Sequence, residues 1–155
     1  MPLPVAGQPA PDFTAASSAG GTVSLADLAG TAFVLYFYPK DMTPGCTTEA
    51  CDFRDNLARL QGAGVQVFGA SKDSLARHDK FIDKHALSFP LLSDPDGSLC
   101  EAWGVWQEKK NYGRTYMGIV RSTFLVDGAG VVRQTWTKVR VKGHVDKVLA
   151  AVEAL

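Results

Sequence analysis

The stretch that decides the fold is TAFVLYFYP at residues 31–39. It is a continuous run of β-branched and aromatic side chains that lacks the polar alternation of a half-exposed strand, and Pro39 ends it. Such a run is typical of a strand that is covered on both faces. The sequence therefore predicts a central strand with other elements packed above and below it, as in an α/β protein.

Helices and strands are predicted on both sides of this strand. Four prolines among the first dozen residues indicate an extended arm, and residues 13–25 around Ser18-Ala19-Gly20-Gly21 indicate a hairpin. LADLAG predicts one helical turn. After the strand, the patterns predict in order a helix ending at Gly62 to Gly64, the strand VQVFGAS, the helix SLARHDKFIDKHAL, the short strand FPLLSD, a short helix in SLCEAWGV, the hairpin STFLVD and VVRQTWTKV, and the helix VDKVLAAVEAL.

This order predicts one α/β domain over residues 1–155. It has a central mixed β-sheet, helices on both faces and an N-terminal β-hairpin extension. Residues 106–120 (WQEKKNYGRTYMGIV) are predicted only as a connection, and a connection of that length is usually functional or carries structure of its own.

Composition excludes several classes of function. Lys plus Arg (16) equals Asp plus Glu (16), so no large field of one sign attracts a nucleic acid. The longest apolar runs, such as residues 32–38, are far shorter than the ~20 residues of a membrane span. The N-terminal sequence has no basic start and no apolar core of signal-peptide length. We expect a cytoplasmic protein without nucleic-acid or membrane partners, whose three cysteines are either buried or reactive.

One of these cysteines occupies a reactive position in the segment YPKDMTPGCTTEAC, residues 38–51. Thr43 is a good N-cap and Pro44 suits the first helical position, which places Cys46 in the first turn of the next helix. Free amide protons and the positive end of the helix dipole favour a thiolate there. The sequence predicts that Cys46 is a nucleophile.

Ionisation alone does not make Cys46 efficient. A free cysteine of pKa ~8.5 is about 3% ionised at neutral pH, so full ionisation gains only about thirtyfold. Donors must also align a substrate and stabilise its leaving oxygen. We predict that the Thr43 hydroxyl, the amides of Gly45 and Cys46, and the Arg121 guanidinium supply them, while Pro39 helps to shield the sulfur.

Cys51 is the candidate partner thiol. In an ideal helix the Cα atoms of Cys46 and Cys51 are about 9 Å apart, beyond the ~7 Å limit for a disulfide. If Cys46 becomes a sulfenic acid that Cys51 resolves, the first helical turns must unwind. The alternative that Cys51 is only an apolar residue of the helix stays open. Cys100 is expected to lie in the core, although a bridge between Cys46 and Cys100 would reassign the resolving role.

The segment resembles the peroxiredoxins. Their pattern of proline, three residues, Thr or Ser, two residues and cysteine is met by Pro39, Thr43 and Cys46. A further cysteine five residues later makes the chain similar to the bacterioferritin comigratory protein or peroxiredoxin Q subfamily, and the likeness extends from PAPDF to the terminal helix. It implies a thioredoxin-like fold, Arg121 as the catalytic arginine, and reduction of hydrogen peroxide and alkyl hydroperoxides. It also implies thioredoxin or glutaredoxin as reductant, a monomer, and neither cofactor nor metal.

Other functions of a cysteine pair require different spacings. A disulfide reductase needs Cys-x-x-Cys, which is absent, and a metal carrier needs closely spaced thiols with a histidine. A peroxide sensor or redox relay that uses the same two cysteines stays open. Glu49 either orients Arg121 or only favours the helix dipole.

Two groups of side chains have less defined roles. The three histidines are expected to be solvated, and four aromatic residues are expected to cluster beside the active site as core or substrate shelf. These are His78, His85 and His144, and Trp103, Trp106, Tyr112 and Tyr116.

Overall fold

The computed structural model describes residues 2–155. Nine strands, four α-helices and one 3₁₀ turn lie within this range. In chain order they are β1 (Thr14–Ser17), β2 (Thr22–Ser24), the 3₁₀ turn (Ala26–Leu28), β3 (Ala32–Phe37), α1 (Pro44–Gly62), β4 (Val65–Ser71), α2 (Leu75–His85), β5 (Leu91–Ser93), α3 (Ser98–Ala102), β6 (Trp106–Asn111), β7 (Arg114–Ile119), β8 (Ser122–Val126), β9 (Val132–Trp136) and α4 (His144–Glu153). None of the helices in this range is long and apolar enough to cross a membrane.

Seven strands form one mixed sheet in the order β2-β1-β5-β4-β3-β8-β9. The strand predicted to be central, β3, pairs parallel with β4 and antiparallel with β8. The N-terminal hairpin extends this same sheet, because β1 pairs antiparallel with β5. The predicted α/β class and mixed sheet are therefore confirmed.

Alternate side chains of β3 enter two separate cores. Val34 and Tyr36 join apolar residues of α1, α2 and α4 on one face, while Leu35 and Phe37 join residues of α3 and of the N-terminal segment on the other. All four are 0% exposed, which explains the absence of polar residues in the strand. On the first face Phe53 of α1 stacks on Tyr36 with ring centroids 4.5 Å apart, so burial of aromatic surface fixes α1 against the sheet.

Residues 106–120 form a hairpin rather than an open connection. Strands β6 and β7 pair from Trp106 with Ile119 to Asn111 with Arg114. The turn residues Tyr112 and Gly113 both have positive φ, 51° and 75°, as a type I′ turn requires. The segment thus carries structure of its own, as a connection of this length was expected to do, but the hairpin was not recognisable because Tyr112 replaces the Asn, Asp or Gly that usually marks the first central position of such a turn.

The expected aromatic cluster does not form. Trp103 is fully buried against Phe37 and Phe124, whereas Tyr112 at the hairpin tip is 97% exposed. Sequence proximity was misleading here because α3 faces the core and the β6–β7 hairpin extends away from the seven-stranded sheet.

Two of the three histidines are not solvated, and that expectation was wrong. His78 is 0% exposed and His144 is 3% exposed, while His85 is half-buried. His78 lies one helical turn before Phe81 and therefore shares the buried face of α2. His144 lies between Phe53 and Trp136, where burial first and the charges of Lys147 and Arg121 second lower its pKa to about 4.

Candidate active site

Strand pairing explains how residues distant in sequence meet at Cys46. Phe37, at the end of β3, pairs with Ser122 at the start of the antiparallel strand β8. The residue before β8, Arg121, therefore lies beside the chain that leaves β3 toward α1. This register brings Arg121 to the helix start that carries Cys46, although the two are 75 positions apart.

The geometry at Cys46 is that of a buried thiol facing a cation. Cys46 lies in the first turn of α1, as predicted, and is 1% exposed. The Nη2 atom of Arg121 donates to Cys46 Sγ at 3.3 Å. Because a guanidinium stays charged, this contact stabilises negative charge on the sulfur or on an oxygen bound beside it.

Glu49 fixes the other side of the guanidinium. Arg121 Nη1 donates to Glu49 Oε1 at 2.6 Å, and the Glu49 side chain is fully buried. Burial raises the pKa of Glu49 to about 7, and the charge of Arg121 lowers it only in part. Burial lowers the pKa of Arg121, but the charges of Glu49 and Cys46 outweigh it and leave the net pKa raised. Of the two alternatives for Glu49, the geometry favours orientation of Arg121.

The remaining predicted residues surround this centre. Gly45 lies against Arg121, because a Cβ added there would be 3.3 Å from Nη2. Pro39 and Arg121 line one groove of about 530 Å³. Thr43 stands at the N-cap position, but its side chain makes no capping bond and its hydroxyl donates to the Lys40 carbonyl at 3.0 Å. The first-turn amides of α1 are thus not capped by Thr43, which leaves donors near Cys46.

The other two cysteines lie in different surroundings. Cys51 is half-buried at the start of the third turn of the unbroken helix α1. Cys100 is fully buried in the core on the opposite face of the sheet from Cys46. Burial and the neighbouring Asp94 raise the pKa of the Cys100 thiol well above its usual range. Cys100 is therefore a core residue with little thiolate character.

Lys109 is a neighbour of the site that the sequence did not indicate. Burial and the charge of Arg121 lower the pKa of Lys109, whereas Cys46 raises it. Its Nζ donates to the Ile119 carbonyl at 3.0 Å. The position of Lys109 near the site could not be predicted from the sequence, because it depends on the pairing of β6 with β7.

The sequence also did not indicate a buried polar network around Asp41, which lies in the loop between β3 and α1. The carboxylate of Asp41 contacts Tyr38 Oη at 2.5 Å and His78 Nδ1 at 2.6 Å. Asp41, Asp73 and His78 each bring a potential metal-ligand atom within 4.8 Å of the others. Both oxygens of Asp41 and both ring nitrogens of His78 are already hydrogen-bonded, so the arrangement favours a hydrogen-bond network over a cation site.

Comparison with known proteins defines the class. The model of the AhpC/TSA family matches residues 6–135, and the chain belongs to this family. Its relatives are thioredoxin-fold peroxiredoxins, so the protein is a thiol-dependent peroxidase that takes electrons from a thiol reductant.

Individual relatives narrow the assignment. The chain is 51% identical to peroxiredoxin Bcp of Bacillus subtilis over 147 residues, which cover 95% of this chain and 94% of the relative. It is 44% identical to peroxiredoxin Bcp of Escherichia coli over 144 residues, or 93% and 92% of the two chains. A structure of Xanthomonas campestris peroxiredoxin Q matches with a TM-score of 0.87 at 48% identity, covering 92% of this chain and 90% of that one. The resemblance to the bacterioferritin comigratory protein or peroxiredoxin Q subfamily is confirmed.

Proposed function

We propose that the protein reduces hydrogen peroxide and alkyl hydroperoxides through Cys46, with Cys51 as the resolving thiol. The observation that carries this proposal is the contact of 3.3 Å between Arg121 Nη2 and Cys46 Sγ, with Glu49 holding the guanidinium from behind. A relative supports the substrate class: a structure of Xanthomonas campestris bacterioferritin comigratory protein, 47% identical with a TM-score of 0.87, is described in terms of alkyl peroxide reduction.

The first step joins sulfur to oxygen. The Cys46 thiolate attacks the terminal oxygen of the peroxide, the O–O bond breaks, and the remaining oxygen leaves as hydroxide or alkoxide and takes a proton. Cys46 becomes a sulfenic acid. Arg121 and the uncapped amides of Gly45 and Cys46 stabilise the charge that develops on the two oxygens. Pro39, which lines the same groove as Arg121, shields the sulfur, and the Thr43 hydroxyl adds a donor when it turns from the Lys40 carbonyl toward the peroxide.

The second step closes a disulfide. The Cys51 thiol attacks the Cys46 sulfenic acid, an S–S bond forms, and water leaves. An intact α1 keeps their Cα atoms about 9 Å apart, so its first turn must unwind. The start of α1 suits this change, because Pro44 and Gly45 are exposed and Thr43 provides no side-chain cap.

The third step restores both thiols. A dithiol protein, thioredoxin or glutaredoxin, attacks the disulfide and leaves with the oxidised pair. We further propose a monomeric, cytoplasmic enzyme in which residues 1–155 form one peroxiredoxin domain. The seven-stranded sheet, which joins strands from Thr14 to Trp136, supports one domain, and three cysteines are too few for a disulfide scaffold, which suits a reducing compartment.

Three cysteine variants test the proposal. Peroxide-dependent oxidation of reduced thioredoxin is followed for wild type, Cys46→Ser, Cys51→Ser and the matched control Cys100→Ser. We expect Cys46→Ser to lose turnover and Cys100→Ser to keep it. Cys51→Ser should consume about one equivalent of peroxide and stop at the sulfenic acid.

Two results would contradict the proposal. Full activity of Cys46→Ser would remove Cys46 from the reaction, and a Cys46–Cys100 disulfide found by mass spectrometry in the oxidised wild type would replace Cys51 as the resolving residue. A protein that forms the Cys46–Cys51 disulfide but is not turned over by thioredoxin or glutaredoxin would be a sensor or relay instead.

A further inference from the structure

The segment between β3 and α1 has an unfavourable backbone conformation immediately before Cys46. Met42 has a φ of 67°, in the left-handed region that residues other than glycine rarely adopt. Such a conformation persists only when the surrounding structure holds it. Met42 packs against the core that contains Cys46, so relaxation of its backbone would move the start of α1.

Asp41 is the residue that holds this segment. Its side chain is buried, with Oδ1 accepting from Tyr38 Oη at 2.5 Å and Oδ2 lying 2.6 Å from His78 Nδ1. Its backbone N–H donates to Asp73 Oδ2 at 2.8 Å. Its carbonyl accepts from Arg77 Nη2 at 3.4 Å. Asp41 therefore connects the loop to β3, to α2 and to the residues that follow β4.

His78 fixes the position of the Asp41 carboxylate. The imidazole is fully buried, and its second nitrogen, Nε2, lies 2.8 Å from the Leu92 carbonyl. Because a carbonyl oxygen can only accept, Nε2 carries a proton and donates it to this bond. The ring, which α2 carries, thus connects β5 of the sheet to Asp41 of the loop. The three steps of peroxide reduction use none of these contacts.

We propose that His78 is a positioning residue for the peroxidase reaction. Through Asp41 it holds the loop of residues 39–43 in the conformation that places Cys46 Sγ beside Arg121. The same anchor stays in place when the first turn of α1 unwinds, so that Cys46 returns to the same position after each reduction. This inference rests on the proposed function of Cys46. Peroxide attack needs alignment of the sulfur with its donors, and a misplacement of about 1 Å can lower a rate by about a hundredfold.

A pair of variants separates the contact with Asp41 from the presence of the ring. In His78→Asn the side-chain amide can take the place of Nδ1 and keep a hydrogen bond to Asp41, but the bond to Leu92 is lost. In His78→Gln the amide group reaches toward Leu92 and the bond to Asp41 is lost. Both variants remove the buried ring, so a general loss of packing affects them alike. His85→Asn, a half-buried histidine of the same helix, is the matched control.

Two rates are measured on each reduced protein: oxidation of Cys46 by hydrogen peroxide in a single turnover, and alkylation of Cys46 by iodoacetamide. Peroxide oxidation depends on the alignment with Arg121, whereas alkylation reports how much of the Cys46 sulfur is ionised and how easily a reagent reaches it. We expect His78→Gln to lower the peroxide rate about tenfold or more without lowering the alkylation rate. His78→Asn should keep the peroxide rate within about threefold of wild type, and His85→Asn should leave it unchanged.

Several outcomes would overturn the inference. Equal peroxide rates for His78→Asn and His78→Gln would show that the Asp41 contact has no role in alignment, and a proportional fall of both rates would show a loss of thiolate instead. If the His78 variants do not fold, Tyr38→Phe decides, because it removes the other side-chain bond to Asp41, and an unchanged peroxide rate there would also refute it. Slow oxidation of wild-type Cys46 would instead contradict the proposed function.

Discussion

The Glu49→Gln substitution tests whether burial raises the pKa of the carboxyl group that packs behind Arg121. The side chain is fully buried, Oε1 accepts from Arg121 Nη1 at 2.6 Å, and Oε2 is buried without a hydrogen-bond partner among the described residues. Gln has the same shape and can accept from Arg121 in the same way. The substitution therefore removes a titration while it preserves most of the packing.

The expected effect on stability follows from the pKa of Glu49, which burial raises from 4.5 to about 7. Between these two pH values the folded protein keeps a proton that the unfolded chain has released. The contribution of Glu49 to stability is therefore complete below pH 4.5 and is lost as the pH rises to about 7. At 1.36 kcal/mol for each pH unit of displacement, the whole change is about 3 kcal/mol, of which about 2 to 3 kcal/mol falls between pH 5 and pH 8.

Another buried group titrates in an overlapping range with the opposite sign. The pKa of His144 is lowered from 6.5 to about 4, so the unfolded chain holds the proton that the folded protein lacks. Its contribution is complete above pH 6.5 and is lost as the pH falls toward 4. The stability curve of the wild type alone thus combines both effects, and only the difference between wild type and Glu49→Gln isolates Glu49.

Urea unfolding of the reduced proteins at pH 5, 6, 7 and 8 measures this difference. We expect Glu49→Gln to gain about 2 to 3 kcal/mol relative to wild type between pH 5 and pH 8. Glu108→Gln, which removes an exposed carboxylate of β6, is the control and should show a constant difference. A Glu49→Gln difference that varies by less than about 0.5 kcal/mol over this range would refute the reasoning.

Four further substitutions test the packing of the sheet and its helices. Cys100→Ala should keep peroxide turnover within about twofold of wild type because Cys100 lies in the core on the opposite face of the sheet, and a large loss of turnover in steady-state assays would argue against this. Tyr36→Phe removes a buried hydroxyl that has no partner among the described residues, so we expect a free energy of unfolding equal to or above that of wild type. Gly69→Ala should destabilise the protein by about 1–3 kcal/mol or more, because a Cβ there would lie 2.8 Å from Leu91 and Tyr36. Gly62→Ala, in open space on α1, should stabilise it by up to about 1 kcal/mol. Thermal unfolding that ranks the two glycine variants in the reverse order would contradict this.

Some features of the site could be predicted because local sequence determines them. Helix and strand starts depend on residues close together in the chain, so Pro44 placed Cys46 in the first turn of α1 and the apolar run of residues 31–39 indicated the central strand. The spacing of Cys46 and Cys51 within one helix is equally local. Arg121 was chosen as the cation that the chemistry of Cys46 needs, and the family resemblance pointed to the same residue, but its distance from Cys46 could not be obtained from the sequence.

Tertiary structure decided the rest, because burial and long-range pairing depend on many elements at once. The antiparallel register of β3 with β8 brought Arg121 to within 3.3 Å of Cys46, and the packing of α1 on the sheet buried Glu49 and raised its pKa. His78 and His144 were expected to be solvated because charged residues lie near them in sequence. Instead, α2 directs His78 inward, where it is hydrogen-bonded to Asp41, and α4 directs His144 inward, where it is hydrogen-bonded to Thr123. The sequence by itself indicated which sulfur is the candidate nucleophile and where its helix begins; the fold determined which charges face that sulfur and what holds them in place.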